Sequence, residues 1–153
     1  MLSLIATILL TAASPDPVQV RYTPLSDRCE MMDEGAFEGQ DWVLHRCQGL
    51  PGYPVWIGYA DGTRMSLAFG AMQTISGMFA TDRDVSWPVE WRGMAGDVFQ
   101  PHAAIVRVRS LTDGASMLAV YRIAEDGSSC LRGVTATNEA ARELADAPPR
   151  QGC

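Results

Sequence analysis

His45 and Cys47 stand two residues apart in "LHRCQG", and on an extended strand residues i and i+2 share a face. A thiol beside an imidazole is the pairing of a cysteine nucleophile with its general base. The competing reading makes Cys47 half of a disulfide. The chain has four cysteines, Cys29, Cys47, Cys130 and Cys153, and in an exported protein an even number reads as a disulfide framework. An oxidised sulfur cannot attack a substrate. No third residue that would orient the imidazole is identifiable, so the structural reading is preferred and no catalytic residue is assigned. The pairs Cys29–Cys47 and Cys130–Cys153 are expected, because each closes a short loop and the two flank the central strands.

A second cluster is "SWPVEWRG" (86–93), in which two tryptophans flank an acid. Trp87, Glu90 and Trp91 form a candidate platform for a carbohydrate or peptide. Strand parity opposes it: Trp87, Val89 and Trp91 would share one face, and Glu90 and Arg92 the other. The tryptophans would then join the core. His102 stands alone after "FQP" and is read as exposed or satisfied by a hydrogen bond. With two histidines in the chain a three-histidine zinc site is excluded, and there is no C-x-x-C. No metal or other cofactor is expected. The stretch 26–41 carries six carboxylates without the spacing of a calcium loop, and reads as a solvated acidic loop.

All twelve basic residues are arginine, which excludes every chemistry that needs a lysine, from the Walker A phosphate loop to Schiff bases. There is no G-x-S-x-G, G-x-G-x-x-G or H-E-x-x-H. Paired carboxylates for glycoside hydrolysis could be drawn from the eighteen acids, but the sequence singles out no pair.

Period-two alternation places the elements that would hold these residues. Strands are expected at 18–22, 41–47, 53–59, 64–69, 87–91, 103–110, 117–123 and 130–136. Met65, Leu67 and Phe69 point inward, as do Ala104, Val106 and Val108, while Arg107 and Arg109 point outward. Asp61-Gly62 marks a hairpin turn. The segment 70–84 reads as a loop with one helical turn. One helix is expected in "TNEAARELADAPP", capped by Thr137 or Asn138, with Ala140, Ala141, Leu144 and Ala145 as its apolar stripe and Pro148 as its stop. The sum is an α+β domain over residues 14–153, with an antiparallel sheet of six to eight strands and the C-terminal helix packed on it.

The N-terminus has an apolar run from Leu2 to Leu10, then Thr11, Ala12, Ala13, Ser14 and the breaker "PDP". That order is expected for a signal peptide over residues 1–13, although its only positive charge is the terminal amine. The run is too short to span a bilayer. The net charge is −6, which argues against nucleic acid or an anionic membrane as partner.

The landmarks "YTPL" (22–25), W-x-x-x-R-C-x-G (Trp42 to Gly49), "PVW" (54–56), "VEWR" (89–92), I-x-R-x-R (Ile105 to Arg109) and N-x-x-A-R-x-x-A-D (Asn138 to Asp146) together resemble a group of small secreted proteins of alphaproteobacterial type with no assigned function. The resemblance implies export and disulfides and brings no site residue with it. The functional expectation is a small periplasmic or secreted protein, not an enzyme. Its work would be to bind another envelope protein, for instance as an inhibitor of a cell-wall lytic enzyme. The alternatives are a carboxylate-dependent envelope hydrolase and a structural envelope component without a specific ligand.

Overall fold

Strands make up most of the described chain, chiefly where apolar and polar residues alternate. The computed structural model describes residues 17–25, 29–71, 75–81 and 87–149; the expected signal peptide lies outside them. The strands are β1 (Val18–Pro24), β2 (Cys29–Phe37), β3 (Gln40–Leu50), β4 (Tyr53–Ala60), β5 (Arg64–Phe69), β6 (Ser76–Ala80), β7 (Pro88–Met94), β8 (Gln100–Arg109), β9 (Ser116–Ile123) and β10 (Ser129–Thr135). One helix follows, α1 (Asn138–Asp146). Strands take up 64% of the described residues and helix 7%. The α+β expectation is therefore corrected: this is a mostly β fold, a ten-stranded antiparallel sheet that curls on itself.

Two strands account for the difference from the expected six to eight. Most of the stretch read as a solvated acidic loop is β2, Cys29–Phe37. It is exposed on both faces, so it shows no alternation. β6 hides behind the helical spacing of Met72, Ile75 and Phe79 and behind Gly77. That glycine has φ +81° inside the strand, a conformation with little steric cost only for glycine. A Cβ there would also stand 2.6 Å from the Phe79 ring and 2.8 Å from the Tyr121 hydroxyl.

β2 to β6 make one antiparallel meander, and β7 to β10 make another, with β1 added outside β7. They join where β6 meets β8 at the pair Ala80 and Arg109. On the far side, serines stitch β10 to β5 and β6. The Phe69 N–H donates to Ser129 Oγ at 2.8 Å and the Leu131 N–H donates to Ser76 Oγ at 3.0 Å. The curl closes over an apolar core of Val55, Ile57, Met65, Leu67, Phe69, Val89, Trp91, Val106 and Tyr121, among others. Phe69 sits at its centre, edge-on to Trp91 at 5.6 Å and tilted against Tyr121 at 4.8 Å. Each such aliphatic side chain contributes roughly 1.5–3 kcal/mol by leaving water.

α1 lies on the outer face. Thr137 caps it, its hydroxyl accepting from the Ala140 N–H at 3.2 Å. Ala141, Leu144 and Ala145 pack on Ala103, Ile105, Leu118 and Val120 of β8 and β9. The helix thus covers the outward residues of these two strands and leaves those of β7 and β1 beside it.

Candidate functional site

The thiol–imidazole pair is resolved by register. Cys29 of β2 lies directly opposite Cys47 of β3, and the two are joined as a disulfide. Cys47 is buried in the core, and its sulfur is not available as a nucleophile. His45 packs edge-on to Tyr59, 5.6 Å between ring centroids. Its Nδ1 is enclosed with no hydrogen-bond partner among the described residues. The second expected pair involves Cys153, which lies outside the described residues.

The three platform residues are not all brought to one surface. Trp91 is 0% exposed, and its indole N–H donates to Thr23 Oγ1 at 2.8 Å. Trp87 is partly buried against the same core, and the Arg107 guanidinium lies over its ring at 5.0 Å. Glu90 points to the opposite, outer face, where β1 and α1 flank it.

On that face the sequence places a chain of charges that only the fold assembles. Tyr22 of β1 is paired in register with Glu90 of β7, and its hydroxyl donates to Glu90 Oε2 at 3.1 Å. Arg142 of α1 binds both Glu90 oxygens at 3.0 Å. Arg92, 9% exposed, reaches Glu90 Oε1 at 2.9 Å and both oxygens of Asp146, at 2.9 and 2.5 Å. His102 Nε2 meets Asp146 Oδ1 at 3.1 Å. Arg92 therefore clamps the sheet to the C-terminal end of α1, in the fork geometry that suits guanidinium and carboxylate.

Burial alone would raise the Glu90 carboxyl pKa, but hydrogen bonds from Arg142, Arg92 and Tyr22 outweigh it and leave it lowered. At Asp146 burial is likewise outweighed by Arg92 and His102, and the pKa is lowered. Both acids are thus held as carboxylates, the opposite of what a general acid needs.

A depressed folded-state pKa gives stability that is complete above the unfolded carboxyl values near 4 and is lost as pH falls through the lower folded values. Chemical denaturation followed between about pH 5 and pH 2 should show this loss. Glu90→Gln should be less stable than the native chain at neutral pH and should lose less on acidification. Parallel pH profiles for the two proteins would exclude a stabilising role for the ionised Glu90.

The other prominent surface is the β2–β3 hairpin. β2 is an edge strand, paired among the described residues only with β3, and residues 29–41 contain Glu30, Asp33, Glu34, Glu38 and Asp41 with no basic residue. Met31 (58%), Met32 (49%) and Phe37 (70%) are exposed among these acids. Gly35 faces Trp42 across the hairpin, and a Cβ there would stand 2.8 Å from the indole. Its bare backbone gives that ring a place to lie. A register shift between Met31 and Asp33 kinks the strand. Charges and bulges of this kind discourage indiscriminate edge pairing, and they also decide which partner can approach.

No protein-family model, curated protein or solved structure matches this chain. Among the described residues, no group of three or more His, Cys, Asp or Glu is placed to hold a metal ion. No helix among them is long and apolar enough to cross a membrane. The cross-strand disulfide is consistent with an extracytoplasmic, oxidising compartment.

Sequence reasoning placed Arg92 beside Glu90 but missed Tyr22, Arg142 and Asp146 as their partners, and His102 as a partner of Asp146. One signal was present. Arg142 and Asp146 stand four apart and so share a side of α1, flanking its alanine stripe, where charged residues would border whatever the helix packs on.

Proposed function

We propose that this chain works outside the cytoplasm, in the periplasm or secreted, as a non-catalytic binding protein, and that its β2–β3 hairpin docks a basic protein. An inhibitor of a cell-wall lytic enzyme is the concrete form of this reading. The observation that carries it is the composition of residues 29–41 of the hairpin: five acids, no base, and exposed Met31, Met32 and Phe37 between them, with Arg46 further along β3 paired in register with Glu30. An acidic field steers a basic partner and rejects acidic ones, while methionine and phenylalanine supply adaptable apolar contact. The Cys29–Cys47 disulfide supports the reading by fixing the root of the hairpin. The resemblance to small secreted proteins agrees with it.

The carboxylate-hydrolase alternative draws no support from the best-formed pair of acids. Glu90 and Asp146 are joined through Arg92 and both are held ionised. A structural envelope component is separated from a binding protein by the assay below.

The oxidised protein should slow lysis of bacterial cell walls by a basic lysozyme, in proportion to the complex formed. The triple variant Glu30→Lys, Asp33→Lys, Glu34→Lys should weaken this by about tenfold to a hundredfold at low salt while keeping the native circular-dichroism spectrum. Undiminished lysis at saturating native protein would remove the inhibitor form. Equal potency of the triple variant would remove the hairpin as the docking surface.

A further inference from the structure

The outer face holds a cleft that the hairpin reading does not use. Its floor follows the register: Tyr22 of β1 pairs with Glu90 of β7, and Glu90 with Ile105 of β8. In the next row Arg107 of β8 pairs with Leu118 of β9. Trp87 and Pro88 wall one side, and Asn138 and Arg142 of α1 wall the other. The space is about 420 Å³, within the range of small-molecule sites.

Three features describe what would fit. In a chain of net charge −6, the cleft sets two guanidiniums, Arg107 and Arg142, against one carboxylate, Glu90. Arg142 is already committed to Glu90 through both oxygens. Arg107 is not committed to any acid among the described residues. It lies over the Trp87 ring and donates to Ser116 Oγ at 3.1 Å. A guanidinium held over an indole, with part of its donor fork unused among the described residues, is a prepared receptor for a carboxylate. The rest of the lining is mixed. Ring surface comes from Tyr22 (57% exposed) and Trp87, and an amide comes from Asn138, whose side chain makes no hydrogen bond among the described residues. Aromatic faces beside amide and carboxylate groups suit the alternating C–H and hydroxyl surfaces of a sugar ring. The floor is fully paired sheet, so the groups are preorganised.

We propose that this cleft binds an acidic saccharide, whose carboxylate meets the Arg107 guanidinium and whose ring lies against Tyr22 and Trp87. The carbohydrate reading of "SWPVEWRG" thereby survives in altered form. Trp91 drops out into the core, and Tyr22, Arg107, Asn138 and Arg142 replace it from elements that the sequence does not place together. This site is independent of the hairpin, and either can fail without the other.

The test is titration of the isotope-labelled oxidised protein with digalacturonate, with neutral galactobiose as control, read by amide and indole chemical shifts. Digalacturonate should move signals of Tyr22, Trp87, Glu90, Arg107, Asn138 and Arg142, with galactobiose weaker by about tenfold. Arg107→Gln should weaken binding by about tenfold and Arg107→Lys by less, because the charge remains but the fork is lost. Asn138→Ala, at an exposed helix position, should cost about threefold, and it gives a second reading should the Arg107 variants fold poorly. Three results would overturn the proposal. One is absence of shifts up to about 20 mM digalacturonate, a weaker limit than any specific site would show. The others are equal affinity for the neutral disaccharide, and affinity unchanged in both Arg107→Gln and Asn138→Ala.

Discussion

Replacing Cys29 and Cys47 together by serine is expected to lower the stability of the oxidised protein by about 3 kcal/mol, which for a chain of this length is a fall in Tm of about 10 °C. The bond closes a sequence separation of 18 residues, and a loop of that length loses about this much chain entropy in the unfolded state when cross-linked. A second effect adds to the first. Every residue of β2 except Gly35 is exposed, so little apolar burial holds the strand to β3. Its remaining ties are ladder hydrogen bonds on one side and the disulfide at its first residue. Without the sulfur bridge, β2 should open without global unfolding. Hydrogen exchange should therefore speed up across residues 29–37 well before it does in β8 or β9. Thermal denaturation and hydrogen exchange of the C29S/C47S protein check both parts. An unchanged Tm with unchanged β2 protection would mean that the bridge carries no stability.

The second large effect concerns Arg92. Its side chain is 11% exposed and that of Glu90 12%, so the pair is nearly dry, and Asp146, at 29%, is partly so. Arg92→Met keeps most of the stem's packing but leaves two carboxylates without their shared cation. Breaking a buried ion pair from one side costs about 3 kcal/mol or more, because a charge is left uncompensated. Arg142 and Tyr22 still hold Glu90, so the larger share should fall on Asp146 and on the docking of α1. Combining Arg92→Met with Asp146→Asn and Glu90→Gln should restore much of the loss, since neutral groups need no counter-charge. Denaturant melts of the single and triple variants measure this. A triple variant that is no more stable than Arg92→Met would show that the cluster acts through packing rather than charge.

The sequence is informative wherever one face of a strand is buried. Met65, Leu67 and Phe69 are inward as alternation requires. Val106 and Val108 are inward too, and Arg107 lies on the outer face. The helix follows from its cap and its alanine stripe. Alternation fails where nothing is buried or where the backbone bends. β2 carries polar and apolar residues on two wet faces, so it looked like a loop. β6 is five residues long with a left-handed glycine inside it. These two strands, and the small share of helix, turned the expected α+β domain into a mostly β one.

The outer face shows a different limit. Glu90 and Arg92 are two apart, and parity places them together. Asp146 lies 54 residues from Arg92 and 44 from His102. Tyr22 lies 68 residues from Glu90. Contacts at such separations depend on β1 joining β7 and on α1 folding back over the second meander, and no local pattern encodes that. The disulfide lay between these cases. Its pairing followed from loop length, while its position directly across a β ladder required the register.

The β2–β3 hairpin is the surface proposed to meet a basic partner. Its most direct test is hydrogen exchange of the oxidised protein, alone and saturated with a basic lysozyme at low salt. Amides of residues 29–41 should be slowed in the complex while those on β8 and under α1 are unchanged, and the protection should fade as salt is raised through about 0.15 M. Protection confined to any other face, or none at all, would contradict the assignment of β2 and β3 as the docking surface.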